Sequence, residues 1–271
     1  MTRACSRRWR GSTMPESGAA IGVASASITG VIELYRRSLA QSWLPALLVS
    51  LLWTGVLARP LLALDPQDDL LRLAEQLQEL VFTPSFGYAL LAATAVSIVP
   101  YCAMVACVLA AAAGGKAAGA GLPLALRISP GALAAAALFL VLTSIGTMIF
   151  FVPGVYLWGL WQLWIVVIVA ERSGPLASLA RSGQLTRGFW WPAVTLVTLI
   201  TILSMAPLVL LDLFLPGILL VLGITGTHAL IASLVCLGVA SILVLPLVPA
   251  ALVAVYRSLC SRQAAWAGEA R

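Results

Sequence analysis

Between Glu171 and Trp191 the chain reads ERSGPLASLARSGQLTRGFWW, and most of its clustered polar chemistry lies there. Arg181, Ser182, Thr186 and Arg187 set two guanidiniums and two hydroxyls along about two turns of helix. Guanidiniums hold phosphate through paired, charge-assisted hydrogen bonds, and neighbouring hydroxyls add donors. The chemistry open to this set is phosphate recognition, and beside long apolar runs the phosphate at hand is a lipid headgroup. The competing reading of the same arginines is ordinary positive charge on the inner side of a membrane.

Other groups that could do chemistry are sparse. Glu171 ends an apolar run and is expected to pair at the surface with Arg172, Arg181 or Arg187. Asp212 and His228 flank an outer connection and are both expected to meet water. Cys102, Cys107 and Cys236 lie in apolar runs, Cys5 and Cys260 in terminal segments, with no Cys-x-x-Cys and a single His. That pattern supports neither a disulfide framework nor a zinc site. There is no His-Glu-x-x-His, Gly-x-Ser-x-Gly or phosphate-loop glycine pattern. No Asp, Glu, Lys, Arg or His falls near the centre of an apolar run, as proton relays and ion-coupled carriers need. The expectation is a protein without catalytic residues, metal or cofactor.

The elements that must position these residues follow from composition. The chain is 61% hydrophobic and only 10% charged, against roughly 25% charged in soluble domains. Water cannot cover such a surface; lipid can. At about 20 residues per crossing, the apolar runs divide into six spans: Trp43 to Leu64, Ser85 to Ala113, Gly131 to Val152, Gly154 to Ala170, Pro192 to Leu211, and His228 to Tyr256. The fold expected is all-α, a six-helix membrane bundle over residues 28–258, with short interfacial helices. A disordered basic tail is expected over 1–27 and a cytoplasmic tail over 259–271, and Met14 offers a second candidate start.

Local patterns refine this. Ile28, Val31, Ile32, Tyr35 and Leu39 form one stripe opposite Glu33, Arg36 and Arg37, which predicts a short interfacial helix over 28–40. Asp65, Pro66, Asp68 and Asp69 open a second, acidic helix over 65–82, expected on the outer face. Lys116 and Arg127 are expected in a loop returning inside, and Pro153-Gly154 at the turn of a hairpin. Leu176, Leu179, Ala180 and Gly183 are expected as the buried stripe of a helix running from Pro175 to Gly188. The run 214–223 is apolar but too short to cross, so it reads as interfacial or re-entrant. Pro246 and Pro249 are expected to kink span six. Trp190 and Trp191 read as headgroup anchors, and Trp158, Trp161 and Trp164, three apart, as a packing face. Every basic residue except Arg59 and Arg72 then falls on one side, which sets both termini in the cytoplasm. The net charge of +6 is scattered through these loops rather than gathered in a patch, so nucleic acid is not an expected partner.

The stretch VPGVYLWGLWQLWIVVIVAE followed by SLARSGQLTRGFWW resembles the YciC-like family of bacterial inner-membrane proteins. It is also similar to the membrane domain attached to some glycerophosphodiester phosphodiesterases. The matching positions are Pro153, Gly154, Glu171, Ser182, Leu185, Thr186, Arg187 and Gly188. The resemblance implies a bacterial cytoplasmic-membrane location and a part in envelope lipid homeostasis. The phosphodiesterase catalytic domain has no counterpart in this sequence, and its activity is not carried over. The function expected is handling or sensing of membrane phospholipid, with Arg181, Ser182, Thr186 and Arg187 on the phosphate. Two alternatives stand beside it. One is an accessory subunit docking on another membrane protein, or on itself, through Ala106, Ala110, Gly114 and Ala117. The other is a transporter of an uncharged or amphipathic solute.

Overall fold

The computed structural model describes residues 28–62, 78–79, 82–115 and 121–269, and every element of more than a turn among them is an α-helix. In chain order these are α1 (Ile28–Leu62), α2 (Pro84–Ala112), α3 (Gly121–Ile149), α4 (Phe151–Trp161), α5 (Trp164–Glu171), α6 (Pro175–Thr186), α7 (Trp190–Val221), α8 (Gly226–Val244) and α9 (Leu247–Glu269). The starts of α2 and α6 follow from sequence: Pro84 and Pro175 open them, where a missing N–H costs nothing, after extended Thr83 and Gly174.

α1 packs along α2 and also meets α8 and α9, while α3 lies between α2 and α4. At the centre is α5, touched by α2, α3, α6 and α9. All six residues from Trp164 to Val169 are buried. They join Cys102 to Val108 of α2, Ala125 to Ala136 of α3 and Ala250 to Leu259 of α9 in one core. Small residues let these helices close: a Cβ on Gly154 would stand 2.6 Å from Thr147 Cα, so α3 and α4 touch backbone to backbone there.

Six helical stretches are long and apolar enough to cross a membrane. Their outward faces carry large apolar side chains, such as Leu51, Val141, Ile145, Ile202, Val209 and Val235. An apolar exterior of this extent does not persist in water. The molecule is an all-α, multi-pass membrane bundle.

Several sequence expectations are corrected. The interfacial helix over 28–40 and span one are a single helix, because nothing between them breaks it and Pro45 removes only one backbone donor. Its buried stripe is Val31, Leu34, Ser38, Ser42, Ala46 and Val49, while Ile28 and Ile32 are exposed. Arg127 is within α3, which begins ten residues before the expected Gly131. The hairpin turns at Phe150, whose backbone is extended, so Pro153 and Gly154 sit in the first turn of α4. The 214–223 run is not a separate element; α7 continues through Pro207 and Pro216 to Val221. Span four is interrupted at 162–163; span six is interrupted at 245–246, where a kink at Pro246 was expected. The expected C-terminal tail is helical as far as Glu269. Cys260 is disulfide-bonded, against the expectation of no disulfide framework. The tail over 1–27, most of the acidic 65–82 segment, Lys116 and Ala117 also fall outside the described residues.

Candidate functional site: the α5–α6 hairpin and its rim

Span four stops being one helix at Gln162-Leu163. A helix end strands carbonyls on one side and amides on the other. Here the break strands them inside the bundle, where each unmet group is costly. α6 supplies the partners. Ser182 Oγ donates to Leu160 O at 3.1 Å, and Thr186 Oγ1 donates to the same oxygen at 2.8 Å. Leu163 N in turn donates to Ser182 Oγ at 3.2 Å.

These bonds fix the direction of α6. The chain leaves α5 at Glu171, reverses through Arg172 to Gly174, and runs back until Thr186 lies beside Leu160. The reversal uses Arg172 at φ 52°, a left-handed conformation that glycine usually fills at a helix end. The 171–191 segment is therefore the return arm of an antiparallel hairpin rather than a surface loop. Its buried face is Ser178, Leu179, Ser182, Leu185 and Thr186; of the expected stripe Leu179 is buried and Gly183 part-buried, while Leu176 and Ala180 are exposed. Hydroxyls can hold a buried face because each finds an acceptor: Ser178 Oγ donates to Pro175 O at 2.7 Å.

The four residues singled out for phosphate thus separate. Ser182 and Thr186 are fully buried and committed to the break. Arg181 turns to Glu171, Nε to Oε1 at 3.4 Å. Glu171 Oε1 also accepts from Tyr256 Oη at 3.0 Å, so one carboxylate fastens α5 to α6 and α9. Of the three arginines weighed as its partner, Arg181 is the one in place. Arg187 alone is exposed, with no ion pair among the described residues.

Around Arg187 the structure gathers a group that sequence spacing did not. Gly188 takes φ 84° and turns the chain into Phe189, where Arg262 of α9 stands 4.4 Å from the ring centroid. Trp190 stacks on Tyr156 at 5.4 Å, and its Nε1 donates to Tyr156 O at 3.0 Å. Trp191 meets Trp190 edge-on and is 73% exposed. Arg262 was read as part of a tail; nothing in the local sequence marks it, because its partner lies more than seventy residues away. Of the other tryptophans, Trp164 is buried against Phe139, while Trp158, expected on the same packing face, is exposed.

The remaining candidates are spent or apart. No ion pair joins Asp212 and His228 among the described residues. Ala106, offered for docking, is buried in the chain's own core. An open groove of about 460 Å³ between α3 and α4 is lined by Thr143, Thr147, Phe151 and Trp158 among others. Its threonine hydroxyls already donate to Phe139 O and Thr143 O, and apart from Ser144 the rest of its lining is apolar or glycine. No group of His, Cys, Asp and Glu among the described residues is placed to hold a metal. No protein-family model, curated protein or solved structure matches this chain.

Proposed function

We propose that this is a non-enzymatic protein of the bacterial cytoplasmic membrane that engages anionic phospholipid, handling or sensing it in the envelope. Both termini lie in the cytoplasm in this reading, because the basic residues then share one side. The observation that carries it is the rim at the α6–α7 junction. Arg262 stands on the Phe189 ring, with exposed Arg187 two residues before Phe189 in the chain and exposed Trp191 two residues after it. Contact with an aromatic face holds a guanidinium without cancelling its charge. An indole beside such cations favours headgroup depth. A guanidinium on an aromatic footing, with a second exposed guanidinium nearby in the chain, suits a lipid phosphate. Ser182 and Thr186 take no part, and Arg181 shares its charge with Glu171.

The test is lipid mass spectrometry of the protein extracted into native-lipid discs, with Arg187→Gln/Arg262→Gln beside the wild type. Enrichment of an anionic phospholipid over the bulk membrane, lost in the variant, is the expected result. The same lipid profile in both proteins would sink the proposal and leave the arginines as topology signals.

A further inference from the structure

The break in span four is repaired on its backbone but not on its side chain. Gln162 occupies the break and is only 7% exposed. Neither its Oε1 nor its Nε2 has a hydrogen-bond partner among the described residues. Two backbone groups beside it do: Leu160 O is met by Ser182 and Thr186, and Leu163 N by Ser182.

We propose that Gln162 is an internal hydration site, its Nε2 donating to and its Oε1 accepting from water held inside the bundle. Three things select that occupant. The amide asks for both a donor and an acceptor, and water is both. No Asp, Glu, Lys, Arg or His lies between Phe151 and Ala170, so no charged side chain of that span would balance a charged guest. Leu163 to Val169 are buried directly after it, and the open groove along α3 and α4 does not reach it, so the guest is small. Interiors commonly meet buried polar groups with ordered water, and such water needs polar partners of this kind. The inference stands apart from the phospholipid reading, since Gln162 is not part of the arginine rim. It makes the discontinuity of span four a wet step within an apolar helix, the kind of irregular backbone that membranes tolerate only where protein or water satisfies it.

Water-edited solid-state NMR of glutamine-labelled protein in lipid discs tests this. The Gln162 side-chain amide is assigned from the peak lost in Gln162→Met, or in Gln162→Asn if the first variant fails to assemble. Exposed Gln184 serves as the wetted control. The expected result is magnetisation passing from water to Gln162 Nε2 as it does to Gln184, and vanishing in D2O. A Gln162 amide that stays dry while Gln184 is wet overturns the proposal. Thermal unfolding gives an independent reading. An unpartnered amide is improved by an apolar replacement of similar length, so a raised midpoint in Gln162→Met also overturns it; an unchanged or lowered midpoint supports it.

Discussion

The hydroxyls of α6 carry a prediction that separates a structural role from a lipid-binding one. Three hydrogen bonds meet the break: two hydroxyls on Leu160 O, and Leu163 N on Ser182 Oγ. Ser182→Ala removes two of them and leaves Leu163 N unmet, although Thr186 still serves Leu160 O. An unmet buried donor costs about 1–3 kcal/mol. Thr186→Val keeps the volume and removes one donor from an oxygen that retains Ser182, so about 0.5–1.5 kcal/mol is expected. The double variant strips Leu160 O of both hydroxyls. Its loss should exceed the sum of the singles by about 0.5 kcal/mol or more, since groups sharing one partner are coupled. Unfolding in graded SDS within mixed micelles gives the four corners of the cycle. Its lipid profile should match the wild type, because neither hydroxyl reaches the surface. A double variant as stable as the wild type would refute the account of the break. An altered lipid profile with unchanged stability would return both hydroxyls to the phosphate.

Two further outcomes follow from the packing, alongside the lipid and hydration tests above. Gly154→Ala drives a methyl into the Thr147 backbone, which cannot swing aside, so a loss of about 1–3 kcal/mol is expected in the same assay; a neutral result would mean α3 and α4 are not in backbone contact. Glu171→Gln and Tyr256→Phe each cost about 1 kcal/mol, and the double costs less than their sum, because Tyr256 and Arg181 meet the same carboxylate oxygen. Strict additivity of that pair would show that the Glu171 carboxylate does not fasten α5 to α9.

The bundle was legible before any coordinates because its cause is compositional. A chain that is 61% apolar and 10% charged must be covered by lipid, and runs of about 20 such residues are membrane helices whatever their neighbours do. Helix starts at Pro84 and Pro175 were legible for a local reason as well, since proline fixes its own backbone angle and lacks the donor that a first turn does not use. The continuity of α1 and α7 was not. An amphipathic stretch and a short apolar run look like separate elements by pattern, yet a helix ends only where something breaks it, and neither Pro45 nor Pro216 did.

The site divides along the same line. By itself the sequence determined that the polar chemistry of this protein is concentrated between Glu171 and Trp191, because residue type and spacing are local properties. Only the tertiary structure decided what each residue there does. Arg181, Ser182, Thr186 and Arg187 share one short helix, and helical periodicity alone makes them a set. Once α6 folds back on α5, burial sorts them: two hydroxyls go to the backbone at Leu160, one guanidinium to Glu171, and one to the surface. Arg262 enters the rim from α9 through a contact between residues far apart in the chain. Hydrogen-bond demand at a helix break and charge pairing across helices depend on which segments meet, and that meeting is set by the packing of the whole bundle.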